Sequence, residues 1–207
     1  MPVKTSIGSR KQGGATLIEA LVAILVMSLG MLGMAGLQLN ALSFQKSSWI
    51  QHRVSELTTD ITERMQTNPA ASQDGFYSYN QTYAVSAAAS LTNNNCRTST
   101  ATFSCTPQQI AGDDLASWLA KAQQTLPGGA ASVSGNTNQG FIVTAMYADK
   151  DFRDPATNAL ATSAACTPTT TGSAWRNCCP SSAAAPAGVR CARTPFFVYI
   201  NPGLVAP

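Results

Sequence analysis

From Ala20 to Leu39 the chain reads ALVAILVMSLGMLGMAGLQL, twenty residues without a charge and with only Ser28 and Gln38 as polar side chains. At 1.5 Å rise per residue, a helix of that length covers about 30 Å, the thickness of a bilayer's hydrocarbon core. The run is therefore expected to span a membrane. In a chain of 207 residues, an anchor of this size leaves room for one further compact domain and too little for two. Lys4, Arg10 and Lys11 precede the run and no cationic cluster follows it directly. The short N-terminal tail should stay cytoplasmic and the rest should be exported.

One charge stands at the rim of the apolar run. Glu19 would carry a desolvation cost of several kcal/mol in an apolar setting unless it is protonated or paired. Its nearest upstream cations, Lys11 and Arg10, lie eight and nine residues away, across Gly13-Gly14. Cleavage between Gly14 and Ala15 would create an α-ammonium four residues from Glu19, one helical turn away. A neighbouring subunit's terminal ammonium could also meet that carboxylate, which would make Glu19 an assembly charge-pairing residue.

The segment Gly13-Gly14-Ala15-Thr16-Leu17-Ile18-Glu19, with basic residues before it and an apolar helix after it, resembles the class III signal of type IV prepilins and type II secretion pseudopilins. The resemblance implies that a membrane aspartyl peptidase cuts after Gly14 and methylates the new N-terminus at Ala15, where the family usually has phenylalanine. Two other processing schemes fit an apolar N-terminal run. One is a secretory signal peptide cut near Leu39-Asn40-Ala41, and the other is an uncleaved single-pass anchor. Neither accounts for the Gly-Ala-Thr-Leu-Ile-Glu cluster.

Beyond the run, Ile50, Val54, Leu57, Ile61 and Met65 recur at helical spacing while Arg53, Glu56, Asp60, Glu63 and Arg64 take other faces. The helix is expected to continue as an amphipathic rod to Asn68-Pro69, where proline disfavours helix at the residue before it. Unbroken from Ala15, it would extend about 80 Å. Gly30, Gly33 and Gly36 could permit close helix contact or local melting, or could simply reflect the frequency of glycine in membrane helices. Trp49 reads as an interfacial or head-packing aromatic.

The head is expected to begin near Pro69. Tyr77, Tyr79 and Tyr83 lie in an aromatic stretch whose structure the pattern leaves open. A second helix is predicted with Asp113 or Asp114 as its cap, a stripe of Leu115, Trp118, Leu119, Ala122 and Leu126, and an end at Pro127-Gly128-Gly129. Phe141 to Ala148 and Phe196 to Ile200 are strand candidates, with Pro195 marking a strand start or an edge. Residues 155–188 are low in hydrophobicity and need covalent stapling to be ordered. Ile61 to Pro69, Asp114 to Trp118 and Leu126 to Gly129 are similar to segments of the PilV family of minor pilins, the type IV pilus modification proteins.

All six cysteines, Cys96, Cys105, Cys166, Cys178, Cys179 and Cys191, lie beyond the apolar run. An even count in an exported polar region reads as three bridges, with fifteen pairings open. Cys96 with Cys105, nine apart, is the favoured loop closure, and the adjacent Cys178 and Cys179 are expected to take different partners. Zinc on Cys166, Cys178, Cys179 and Cys191 is the competing use of these thiols.

Little else suggests chemistry. His52 is the single histidine, which argues against a Ser-His-Asp or Cys-His machine, so no catalytic residue and no cofactor is expected. Asp149, Asp151 and Asp154 could take calcium, but Lys150 and Arg153 supply local countercharge and EF-hand spacing is absent, so a solvated loop is expected and no metal is assigned. Apart from the three leader cations, 10 basic residues face 10 acidic ones. Despite Arg176, Arg190 and Arg193, no nucleic acid partner is expected.

The expected fold is α+β and type IV pilin-like: a long N-terminal α-helix, membrane-spanning and then amphipathic, packed against a small disulfide-bonded antiparallel-sheet head. The expected segments are a class III leader peptide at 1–14, a membrane-spanning helix at 15–39, an amphipathic continuation at 40–68 and a periplasmic or extracellular head at 69–207. The resemblance implies a minor pilin in a type IV pilus tip or initiation complex that promotes pilus assembly and adhesion or twitching motility. The alternatives are a minor pseudopilin of a type II secretion system and a surface-binding adhesin subunit. Implied partners are other minor pilins, the major pilin, the prepilin peptidase, the inner-membrane assembly machinery and, before assembly, membrane lipid. The implied location is the inner membrane, with a periplasmic head, and then the extracellular pilus.

Overall fold

The computed structural model describes residues 16–96 and 105–198. The chain forms two compact units that meet in sequence between Ser48 and Trp49. The first contains the apolar part of helix α1, which runs Leu17–Thr67. Its large apolar side chains from Leu17 to Phe44 are all exposed. An 18-residue window within α1 has mean hydropathy 2.3, so the helix is long and apolar enough to cross a membrane.

The second unit contains the C-terminal part of α1 and the head. Ile50, Val54, Leu57, Ile61 and Met65 are buried as the periodicity predicts. The helix stops at Thr67 because Asn68 precedes Pro69 and leaves the helical region, with φ −128° and ψ 66°. The carbonyls freed at this end find new donors. Ser72 Oγ donates to Met65 O at 2.9 Å, and Thr67 Oγ1 donates to Arg64 O at 2.8 Å. Asn68 Oδ1 caps α2 (Pro69–Gln73), and its Nδ2 donates to Pro107 O at 2.9 Å.

Tyr77, Tyr79 and Tyr83 are placed by different means. Tyr77 is buried, Tyr79 forms a β-bridge with Val133, and Tyr83 opens the short helix α3 (Tyr83–Ala88) behind a Thr82 cap. The next helix, α4, runs Pro107–Thr125, so it begins six residues before Asp113. The expectation that Asp113 or Asp114 caps it is corrected. Thr106 is the cap, Gln109 completes a reciprocal capping box, and Pro107 takes the first helical position. Both aspartates are buried side chains inside the helix.

Three antiparallel strands follow in the order β1 (Ala130–Asn136), β2 (Gly140–Ala148), β3 (Val189–Phe196). Strand β2 is the segment predicted from its β-branched and aromatic content. β1 was not predicted, because AASVSGN carries a single large apolar residue. The last strand is also corrected: it ends at Phe196 instead of beginning there, and Pro195 pairs with Ile142. Proline is accepted at that position because β3 is at the edge of the described sheet. Tyr199 and Ile200 lie outside the described residues. The β1–β2 turn depends on glycine. Gly135 has φ +111°, and a Cβ there would collide with the Gly140 carbonyl.

The sheet has apolar material on both faces, which makes the head three layers. Ala131, Val133, Phe141, Val143 and Ala145 join α1 and α4 in one cluster with Trp118. Ala130, Met146, Val189 and Cys191 face the other way and pack with Cys179 and Ala183. The free edge of β1 is covered. Tyr79 exchanges both backbone bonds with Val133 at 2.9 Å, and the buried Ser86 hydroxyl takes the Ala131 N–H at 3.0 Å and donates to its carbonyl at 2.8 Å.

Removing the capping box tests the corrected start of α4. Thr106→Ala should lower the head's unfolding free energy by about 1 kcal/mol, measured by chemical denaturation of the full chain in detergent. An unchanged midpoint would mean that α4 does not begin there.

Candidate functional site

Gly13, Gly14 and Ala15, the predicted cleavage and methylation positions, lie outside the described residues. Glu19 lies within them. It is exposed in the first turn of α1, with its backbone N–H 2.9 Å from Thr16 O. A carboxylate is favoured there by the helix dipole, since the first-turn N–H groups have no intrahelical acceptor. Gly30, Gly33 and Gly36 face open space: a Cβ on any of them would meet nothing within 4 Å. Among the described residues, no contact therefore requires glycine at these positions.

The second part of the site is the seam between α1 and α4 in the head unit. Trp118 is fully buried, and its indole N–H donates to Leu57 O at 2.8 Å. Leu57 O belongs to a helical peptide, so this bond fixes α4 in register on α1 as well as packing it there. Beside it, Arg64 ties α1 to α4. Its Nε donates to Asp60 Oδ1 at 2.6 Å, and its Nη1 donates to Asp114 Oδ1 at 3.2 Å and to Ser117 Oγ at 2.8 Å. The other Asp114 oxygen accepts from Tyr77 Oη at 2.6 Å. The buried Asp114 carboxylate thus receives a cation and a hydroxyl, which is how a charge is held in a core.

Toward the open side of the seam, Lys121 Nζ lies 2.9 Å from Glu56 Oε1 and 3.4 Å from Asp60 Oδ2. Arg53 meets the other Glu56 oxygen at 2.7 Å and lies over the Trp49 ring at 5.5 Å. Hydrogen bonds from Lys121 and then Arg53 hold Glu56 down at about 2, against an ordinary 4.5. Burial pushes Asp60 upward, but Arg64 and Lys121 outweigh it and the net shift is downward. His52 lines the same open groove with Ser55, Glu56, Thr59, Asp60, Glu63, Arg64 and Lys121.

Asp113 has a different task from its neighbour. Its two oxygens accept the backbone N–H groups of Asn94 and Cys96, pinning the strand-free segment before the first bridge. In the sequence, Asp113 and Asp114 read as a helix start and not as buried acceptors. A buried Asp-Asp pair one turn ahead of Trp118 was the signal for polar partners elsewhere in the fold.

The cysteines form three bridges, Cys96–Cys105, Cys166–Cys178 and Cys179–Cys191. The adjacent Cys178 and Cys179 therefore take different partners, and the four thiols considered for zinc are all used. Among the described residues, no group of three or more His, Cys, Asp or Glu could hold a metal ion. In the 149–154 loop, the Asp154 carboxylate accepts from the N–H groups of Ala156 and Thr157 at 2.9 Å, which holds it below the usual carboxylate range. Asp149 accepts from Asp151 N at 3.2 Å and faces Arg190 at 3.5 Å. Arg190 and Arg193 stack on Phe152 and Trp175 within the head.

Residues 9–35 match the family model for the prokaryotic N-terminal methylation motif. The match covers Gly13, Gly14, Ala15 and Glu19 together with the first part of the apolar helix, and the motif is typical of type IV pilins and prepilins. The chain matches no curated protein and no solved structure. A long apolar N-terminal helix with a small antiparallel, disulfide-bonded head is the type IV pilin-like fold. The motif and this arrangement of helix and head are both typical of type IV pilins and prepilins, a family of assembling structural subunits.

The seam's charges give a pH dependence with a definite sign. Because Glu56 holds its proton less tightly folded than unfolded, its contribution is complete above about pH 4.5 and is lost as pH falls toward about 2, and the lowered Asp60 carboxyl adds a loss of the same sign on acidification. Lys121→Met should flatten that acid limb. Denaturation midpoints between pH 5 and pH 2 for both proteins provide the check, and parallel limbs would contradict the assignment.

Proposed function

We propose that this chain is a PilV-like minor pilin, incorporated into a type IV pilus tip or initiation complex and acting in pilus assembly and in adhesion or twitching. The observation that carries the reading is the methylation motif running into a helix whose large apolar side chains from Leu17 to Phe44 are all exposed. Such a surface needs lipid before assembly and the helices of neighbouring subunits afterwards. Support for the particular branch comes from the resemblance of Ile61 to Pro69, Asp114 to Trp118 and Leu126 to Gly129 to the PilV family, and from the six-cysteine head.

In this reading residues 1–14 are the leader, 15–39 span the inner membrane, 40–68 carry the helix into the periplasm, and 69–207 form the rest of the head. The prepilin peptidase cuts after Gly14 and methylates Ala15. Glu19 then meets a terminal ammonium, its own or that of the preceding subunit, so each helix enters the bundle at one depth. The major pilin, the other minor pilins and the inner-membrane machinery are the partners, and the head ends in the extracellular pilus.

The mature N-terminus and one variant test this. Mass spectrometry of the protein from sheared pili should find a methylated chain beginning at Ala15. Glu19→Ala should reach the membrane in normal amount but enter pili roughly tenfold less or worse, since an uncompensated buried charge costs about 3–5 kcal/mol. A working protein that retains its first fourteen residues would refute the processing. Equal incorporation of the variant would refute the pairing. Deleting the gene separates the branches: lost pili support the assembly role, while intact pili with failed enzyme secretion would move the chain to the pseudopilins.

A further inference from the structure

Arg193 occupies an unusual place for a cation. It projects from β3 on the face away from the long helix, stacked 4.3 Å from the Trp175 ring centroid. Its Nη1 lies 3.0 Å from Cys166 Sγ, 3.2 Å from Cys178 Sγ and 3.4 Å from Trp175 O, and its Nε is buried without a hydrogen-bond partner. Among the described residues its hydrogen bonds thus go to two bridged sulfurs and a carbonyl, none of them an anion. The group that would supply an anion there is a thiolate of the bridge itself.

The three bridges differ in what surrounds them. Cys179 and Cys191 are 5% and 2% exposed and sit inside the second apolar cluster, where a thiolate is disfavoured and a reductant is shut out. Cys96 donates its backbone N–H to Asp113 Oδ2 at 2.7 Å, so a carboxylate opposes any thiolate formed beside it. Cys166 is partly exposed while Cys178 is 1% exposed, and the pair lies outside both apolar clusters. One sulfur can be attacked, and the other can leave beside a guanidinium.

We infer that Cys166–Cys178 is the head's exchangeable disulfide, opened by a dithiol reductant and facilitated by Arg193. A thiolate of the dithiol attacks Cys166 Sγ, the bond to Cys178 breaks with its electron pair, and Cys178 departs as a thiolate against Arg193. The reagent's second thiolate then attacks its own mixed-disulfide sulfur and releases Cys166. The bridge gains two electrons, and the dithiol becomes a disulfide. Opening frees the segment between these cysteines, including helix α5 (Gly172–Asn177) with Trp175, while Cys179–Cys191 keeps the second cluster closed. The device would let a redox partner loosen one surface loop of the head without unfolding it.

The test uses the full chain in detergent at fixed pH, with graded dithiothreitol, rapid alkylation and mass mapping of each cysteine. Cys166 and Cys178 should be labelled first. In Arg193→Gln that bridge should open roughly ten times more slowly, because a neighbouring cation favours the departing thiolate and exchange follows the acidity of the leaving thiol. Arg193→Lys should recover part of the rate, and the rate at Cys179–Cys191 should be the same in all three proteins. The wild-type order stands independently of whether the variants fold well. Earlier opening of either other bridge, simultaneous opening of all three, or an unchanged rate in Arg193→Gln with Cys179–Cys191 intact would overturn the inference.

Discussion

The head has no complete core without the C-terminal part of α1. Ile50, Val54, Leu57, Ile61 and Met65 form one wall of the cluster that also holds Trp118, Phe141 and Val143. A three-stranded sheet and one long head helix would otherwise leave that wall open to water, and small domains have little apolar burial to spare. The Trp118 indole bond to the Leu57 carbonyl adds register to packing, since it specifies which turn of α1 lies under α4. The C-terminal part of α1 is thereby an integral part of the unit that carries the surface loops.

Charge is used differently in the two units. Along the seam, Arg64 on α1 is shared between Asp60 on its own helix and Asp114 on α4, and Lys121 on α4 reaches Glu56 and Asp60 on α1, so the network ties the two helices and leaves the buried Asp114 compensated. In the apolar half of α1 a single carboxylate, Glu19, stands in the first helical turn. The first arrangement is satisfied within the chain. The second is proposed to be satisfied by processing and by neighbours, which suits a subunit that is stored before it is assembled.

Disulfides provide what the low-hydrophobicity region cannot. Between β2 and β3 the chain has one short helix, a 3-10 turn at Ser181–Ala183 and isolated bridges, with few buried side chains. Cys166–Cys178 and Cys179–Cys191 close successive loops there, and Cys179 brings the second loop under the sheet beside Met146. Because the two linked pairs sit in unlike environments, they need not respond alike to a reductant.

Much of the long helix was legible in the sequence, because its signals are local. Twenty uncharged residues, a stripe at helical spacing and Asn68-Pro69 each act through the backbone or solvent within a few turns. The Thr-Pro-Gln-Gln start of α4 is equally local, but the Asp113-Asp114 pair is the more conspicuous cap signal. Strand β1 was hidden because its burial comes from neighbours, with small residues lying under Ser86, Tyr79 and β2, and not from its own hydrophobicity. The sequence by itself determined an apolar rod, its amphipathic continuation and a cysteine-rich head. Only the tertiary structure decided that Asp113 and Asp114 serve opposite partners, that Arg193 rests on a disulfide and that Trp118 docks on Leu57, because each joins residues distant in sequence whose approach depends on how the helices and sheet pack.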